Sequence, residues 1–201
     1  MSPHLNRRTL LAAAGAAGSV LATGSGCAQR SDPVVTTTNG PVRGTIEDGI
    51  NRFLGVRYGA DTARTRFRAP ARPDAWTDTL DATSYGSASP QGRNEANQSE
   101  DCLFLNVWTP GLEGDAARPV MVYFHGGAYA AGSGSSPLYD GTRLCQRGDV
   151  VVVTVNHRLN AFGYLYLQRL LGPDLAASGN AGQLDLVLAL QWVRDNAARF
   201  G

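Results

Sequence analysis

Residues 120–136 read VMVYFHGGAYAAGSGSS, from Val120 to Ser136. Val120 to Phe124 is an unbroken apolar run without alternation, the pattern of a strand covered on both faces. VVVVTV, Val150 to Val155, is a second such run. A segment around Leu138 to Arg147 between them reads as a short helix. Strand, crossover and strand together predict an α/β sheet. In a sheet covered on both faces, reacting atoms sit at the loop leaving a strand's carboxyl end, and His125-Gly126-Gly127 is that loop. Glycines there let backbone N–H groups approach a substrate and adopt dihedrals other residues avoid. Adjacent N–H groups aimed at one point form a site for a developing oxyanion; taken alone, the Gly-Gly pair reads rather as a flexible turn.

Outward from that stretch, Leu103 to Trp108 reads as a strand closed by a turn at Pro110-Gly111. Upstream lie β-like runs at Val42 to Ile46 and Phe53 to Tyr58, separated by the turn Glu47-Asp48-Gly49. Residues 59–100 are rich in Pro, Ala, Arg and Ser and read as long surface loops. Downstream, Leu184, Val187, Leu188, Leu190 and Val193 give a broad apolar face, predicting a well-buried helix with Ser178 or Asn180 as its cap. The 201 residues are 43% hydrophobic and 17% charged, the composition of one globular domain. With a net charge of +1, nucleic acid is not suggested as a partner. All the basic side chains are arginines.

Residues 1–30 fall outside that domain. Arg7-Arg8, a weakly apolar run from Leu10 to Ala22 and then small residues form the layout of a twin-arginine export signal. The run is too short to span a bilayer, so an exported protein without a membrane span is expected. Cys27 is a lipidation candidate, disfavoured by Gly24. Ser31 to Asn39 is polar and reads as a linker. Cys102 and Cys145 remain in the mature part, and nothing in their spacing demands a bridge.

Several stretches resemble, in order, the type-B carboxylesterases, the α/β-hydrolase family that includes the cholinesterases. HGGA at His125 to Ala128 is similar to its oxyanion loop, and SEDCLFLNVWTP (Ser99 to Pro110) to its signature. VTVNHRLNAFGYL (Val153 to Leu165) matches another segment, in which the family usually has tyrosine and glycine at the places of His157 and Asn160. GNAGQLDLVLALQWVRDNAARFG (Gly179 to Gly201) resembles the helix leading to the nucleophile, and FLGVRYGADTARTRFRAPARPDAW (Phe53 to Trp76) the amino-terminal strand and loop. The resemblance implies an α/β-hydrolase domain over 40–201, oxyanion donors at the N–H groups of Gly127 and Ala128, and a small-molecule ester substrate. It implies no metal or organic cofactor and leaves the oligomeric state open. It also implies a structural pair of Glu100 with Arg66. The family's early disulfide uses the place of Cys102, but Ser89 stands where its partner would be, so Cys102 is expected as a free, buried thiol.

No G-x-S-x-G occurs in the chain, and in the family the serine, acid and histidine come later, in that order. His125 and His157 therefore lack a nucleophile to activate. Asp101 and Asp185 are expected to hold loops and helix ends. The expectation is an incomplete α/β sheet: the amino-terminal portion of an exported serine carboxylesterase, inactive alone, with an open edge strand and an uncovered helix face. The alternative is a non-catalytic cholinesterase-like binding or adhesion module.

Overall fold

In the computed structural model, residues 31–92 and 95–201 are described; the signal reading of 1–30, including Arg7, Arg8 and Cys27, lies outside them. The main sheet is built from β3 (Thr45–Glu47), β4 (Ile50–Arg57), β6 (Phe104–Thr109), β7 (Val120–Phe124) and β8 (Val151–Val155), in the order β3-β4-β6-β8-β7. β3, β4, β6 and β8 pair antiparallel, while β8 and β7 pair parallel with Phe124 opposite Val155. Both strands of the parallel pair thus end at the same level.

β8 is buried at all five positions, as its unbroken Val/Thr run predicts. Val151, Val153 and Val155 pack on one face with Leu105, Val107 and Phe53, against Leu188, Ala189, Trp192 and Val193 of helix α4 (Ala181–Asn196). Val152 packs on the other with Ile50, Leu54, Trp108 and Cys145, the last from helix α1 (Thr142–Gly148). The period of two along a strand delivers alternate residues to the two helical layers.

β7 departs from its predicted double burial: Met121 and Tyr123 are 48% and 41% exposed, while Val120, Val122 and Phe124 pack against the α4 side. Among the described residues β7 pairs only with β8, and a strand's burial is set by what packs around it. Val187 and Leu190 on α4 are likewise exposed, at 48% and 46%, the uncovered helix face expected of an incomplete sheet. Neither predicted cap engages α4: Asn180 makes no capping bond, and the Ser178 hydroxyl accepts from the N–H of Leu167.

Residues 31–39 are not a linker. β1 (Val34–Thr36) pairs antiparallel with β2 (Pro41–Arg43), which pairs parallel with β5 (Leu80–Asp81). Val35 is buried in the core, and the Thr38 N–H donates to Asn196 Oδ1 at 2.7 Å, tying the segment to α4. The predicted Val42 to Ile46 run is split between β2 and β3 at Gly44. Arg57 clamps Asp101 with two bonds of 2.6 and 2.7 Å, and Arg66 grips Glu100 through both carboxylate oxygens. Cys102 and Cys145 are free and buried, and burial pushes the Cys102 thiol up to about 12. Among the described residues, no helix is long and apolar enough to cross a membrane.

Candidate functional site: a strained turn at the rim of the sheet

The chain leaves β7 at His125 and enters a turn in which Gly127, Ala128 and Tyr129 all have positive φ, of 128°, 52° and 67°. Positive φ is uncommon for non-glycine residues, and two in succession store strain that the surroundings must hold. The holding groups come from two other loops. Gln91 donates to Gly132 O at 2.9 Å and accepts from Gly132 N–H at 2.7 Å. Asn160 donates its side-chain amide to Ala130 O at 3.0 Å and its backbone N–H to Tyr129 O at 2.8 Å. Asn160 itself has φ 53°, a conformation asparagine tolerates, at a place where the family usually has glycine. Further on, Gly134 N–H donates to Asn156 Oδ1 at 2.7 Å, and Thr154 Oγ1 donates to Gly134 O at 2.7 Å, which fastens the loop to the sheet rim.

The turn directs its carbonyls inward. Gly126 O lies 3.0 Å from His125 Nδ1, and Gly127 O accepts the N–H groups of Ala130 and Ala131 at 3.0 and 3.3 Å. A trans peptide points its N–H opposite to its carbonyl. The two amides sharing those peptide planes are the N–H groups of Gly127 and Ala128, and among the described residues neither has an acceptor. Gly127 accepts no side chain here, since a Cβ would meet the Ala131 backbone. Both residues are exposed, and two neighbouring donors without a protein acceptor, in a fixed orientation, are what binding an oxyanion requires.

Gly126 and Ala128 line a cleft of about 280 Å³ with His125, Tyr129, His157, Tyr164, Gln183 and Leu186; Gly127 is not among its lining residues. His125 and His157 stack with ring centroids 4.7 Å apart and planes 12° from parallel. His157 Nδ1 lies 3.1 Å from Arg158 O. Burial holds both imidazoles below their ordinary range, His157 down to about 4 with His125 as a second cause. Both rings are therefore neutral at pH 7. Tyr129 and Tyr164 pack at 4.8 Å. Among the described residues Tyr164 Oη is buried without a partner of hydrogen-bonding geometry, although Gln183 lies beside it.

Of the residues singled out in sequence, the structure brings Gly127, Ala128, His125 and His157 to this one rim. Asp101 stays with Arg57. Asp185 lies under the rim, fully buried, bound to Arg158. Tyr129, Tyr164, Gln91 and Gln183 carried no motif and were missed. The stack was not legible from strand pairing: continuing the β7–β8 register sets His125 opposite Asn156, with His157 alternating to the other face, so the two rings meet only where the chain leaves the strands.

The profile of the carboxylesterase family matches residues 31–201. The chain is 45% identical over 177 residues to the para-nitrobenzyl esterase of Bacillus subtilis, covering 84% of this chain and 35% of that protein. It is 39% identical to the fumonisin B1 esterase of Sphingopyxis macrogoltabida, covering 87% and 34%. A crystal structure of the Geobacillus stearothermophilus carboxylesterase superposes with a TM-score of 0.80 at 47% identity, covering 84% of this chain and 35% of that one. The chain thus spans about a third of the length of the curated relatives it matches. A sheet flanked by α1 and α4, a strained turn at its rim and a match running from Ser31 to Gly201 agree: the chain belongs to the carboxylesterase family and carries part of its α/β-hydrolase fold.

Proposed function

We propose that this chain forms the amino-terminal part of an exported serine carboxylesterase and supplies its oxyanion hole through the N–H groups of Gly127 and Ala128. The observation supporting this most directly is the pair of acceptor-free amides on a strained turn whose Gly126 and Gly127 carbonyls are engaged within the turn itself. In this reading, a serine from polypeptide beyond Gly201 adds its oxygen to the ester carbonyl carbon while a histidine takes its proton. The carbonyl π electrons move onto oxygen, which becomes the anion held by the two amides. The tetrahedral centre collapses, the alcohol leaves with the proton, and water releases the acid from the acyl-serine by the same steps. Removing one oxyanion donor from such a site costs about 10²–10³ in kcat. The open edge of β7 and the exposed Val187 and Leu190 on α4 are surfaces on which further polypeptide would pack. Arg7-Arg8 and the following apolar run support export.

The test is covalent labelling with a fluorophosphonate. The product of the complete reading frame is expected to label at one serine and to release p-nitrophenol from p-nitrophenyl acetate with a burst. The 201-residue chain alone is expected to do neither. Failure of the complete product to label overturns the serine-esterase reading in favour of a binding module.

A further inference from the structure

The hydrogen bond from His125 bears on the oxyanion turn through a single peptide plane. Nδ1 of His125 sits 3.0 Å from Gly126 O; a carbonyl only accepts, so this nitrogen carries the hydrogen. The same peptide unit contains the Gly127 N–H, and because the unit is planar and trans, anchoring its oxygen aims its hydrogen. The imidazole can do this only while its ring is held from rotating. One restraint is the backbone at Gly132, φ 108°, where a Cβ would lie 2.5 Å from His125 Nδ1. The other is the His157 ring stacked on it at 4.7 Å. His157 is in turn fixed by its own Nδ1 bond to Arg158 O at 3.1 Å, and Arg158 is locked beneath by Asp185.

We propose that His157 is a positioning residue for the oxyanion hole: it holds the His125 ring, which orients the Gly126–Gly127 peptide and so aims the Gly127 N–H. This rests on the oxyanion assignment above. It differs from a base role for either histidine, because both Nδ1 hydrogens are committed to backbone carbonyls. A positioning role affects the transition state more than the ground state, so the loss appears in kcat and leaves KM nearly unchanged. A small misplacement of a group at the reacting centre can cost on the order of 10²-fold.

The test uses the product of the complete reading frame with p-nitrophenyl acetate. His157→Ala is expected to lower kcat about 10- to 100-fold with little change in KM, and His157→Phe, which keeps a flat ring on His125, to restore most of it. His125→Asn retains a side-chain N–H near the Nδ1 position and is expected to keep more activity than His125→Ala. Should His157→Ala not fold, His157→Phe is compared with His157→Leu, a side chain of similar bulk without a ring. Equal kcat for those two overturns the proposal, as does wild-type kcat in a folded His157→Ala. If the wild-type product labels with fluorophosphonate and these variants behave as wild type, the positioning role falls and the esterase reading stands. If the wild type does not label, both fall.

Discussion

Deleting the carboxylate of Asp185 tests what ties the sheet rim to α4. Asp185 is 0% exposed and the Arg158 side chain 2%. Arg158 Nε reaches Asp185 Oδ2 at 2.9 Å, Nη2 reaches Oδ1 at 2.7 Å, and the Arg158 backbone N–H donates to Oδ2 at 2.9 Å. Burial pushes the Asp185 carboxyl above its ordinary value, while the hydrogen bonds and charge of Arg158 pull it back. Arg158 is left, apart from this carboxylate, with Arg68 O at 2.9 Å and Ala181 O at 3.4 Å. In Asp185→Ala a buried guanidinium loses its counter-charge, which costs about 3–5 kcal/mol in such pairs. The orphaned backbone N–H adds to that. With a urea m value of about 2 kcal/mol/M, a loss of about 4 kcal/mol moves the unfolding midpoint down by about 2 M. Replacing both partners, Arg158→Met with Asp185→Leu, is expected to cost far less than the single changes combined, because no charge is then stranded. The assay is urea unfolding followed by the buried Trp108 and Trp192 at submicromolar protein, where association through the β7 edge is suppressed. An Asp185→Ala loss below about 1 kcal/mol, or a double variant whose cost equals the sum of the singles, would refute the reasoning.

Acid should weaken the fold through the histidine stack. Unfolded His157 takes a proton near 6.5 and folded His157 only near 4, so stability present above pH 6.5 is lost as pH falls between those values. The loss reaches about 3 kcal/mol at most, His125 acts in the same direction, and His157→Phe should flatten that part of the pH–stability curve. In a protein starting at Ser31, neither Cys102 nor Cys145 should react with a disulfide reagent at pH 8 until denatured, since burial holds both thiols well above that pH; rapid native labelling would contradict their burial. Arg66→Ala should leave the melting temperature nearly unchanged, because its ion pair with Glu100 is half exposed on the arginine side. The 201-residue product should bind a hydrophobic dye and associate, and Met121→Glu should reduce both by charging the open face of β7; a sharp monomeric melt without dye binding would count against this.

How much could be read from the chain depends on where the controlling physics resides. β8 was legible because Val150 to Val155 carries its burial in its own composition. The same reading of Val120 to Phe124 gave the strand but not its exposed face, since Met121 and Tyr123 are covered only if something lies beside β7. Ser31 to Asn39 misled for the opposite reason. Its threonines look like linker, yet Thr38 and Val35 are held by α4 and the core, contacts 158 residues away in the case of Thr38 and Asn196. The glycines of the turn were legible through resemblance. The left-handed Ala128 and Tyr129 were not, because no residue preference announces strain.

That strain bears on whether the turn is a designed donor site or an idle loop. An idle turn could relax Ala128 and Tyr129 to ordinary dihedrals, and left-handed or otherwise sparse conformations cost on the order of 1–3 kcal/mol each. Here they are kept by side chains from two other segments, Gln91 and Asn160. Each of those bonds secures a carbonyl or closes the turn, and none satisfies the N–H groups of Gly127 and Ala128. A structure that spends side chains to fix a backbone, yet leaves two adjacent donors unused, has its reorganisation cost settled before any anion arrives. Under the proposed oxyanion role, Gln91→Ala or Asn160→Ala should therefore lower kcat of the complete product on p-nitrophenyl acetate more than it lowers the urea unfolding midpoint.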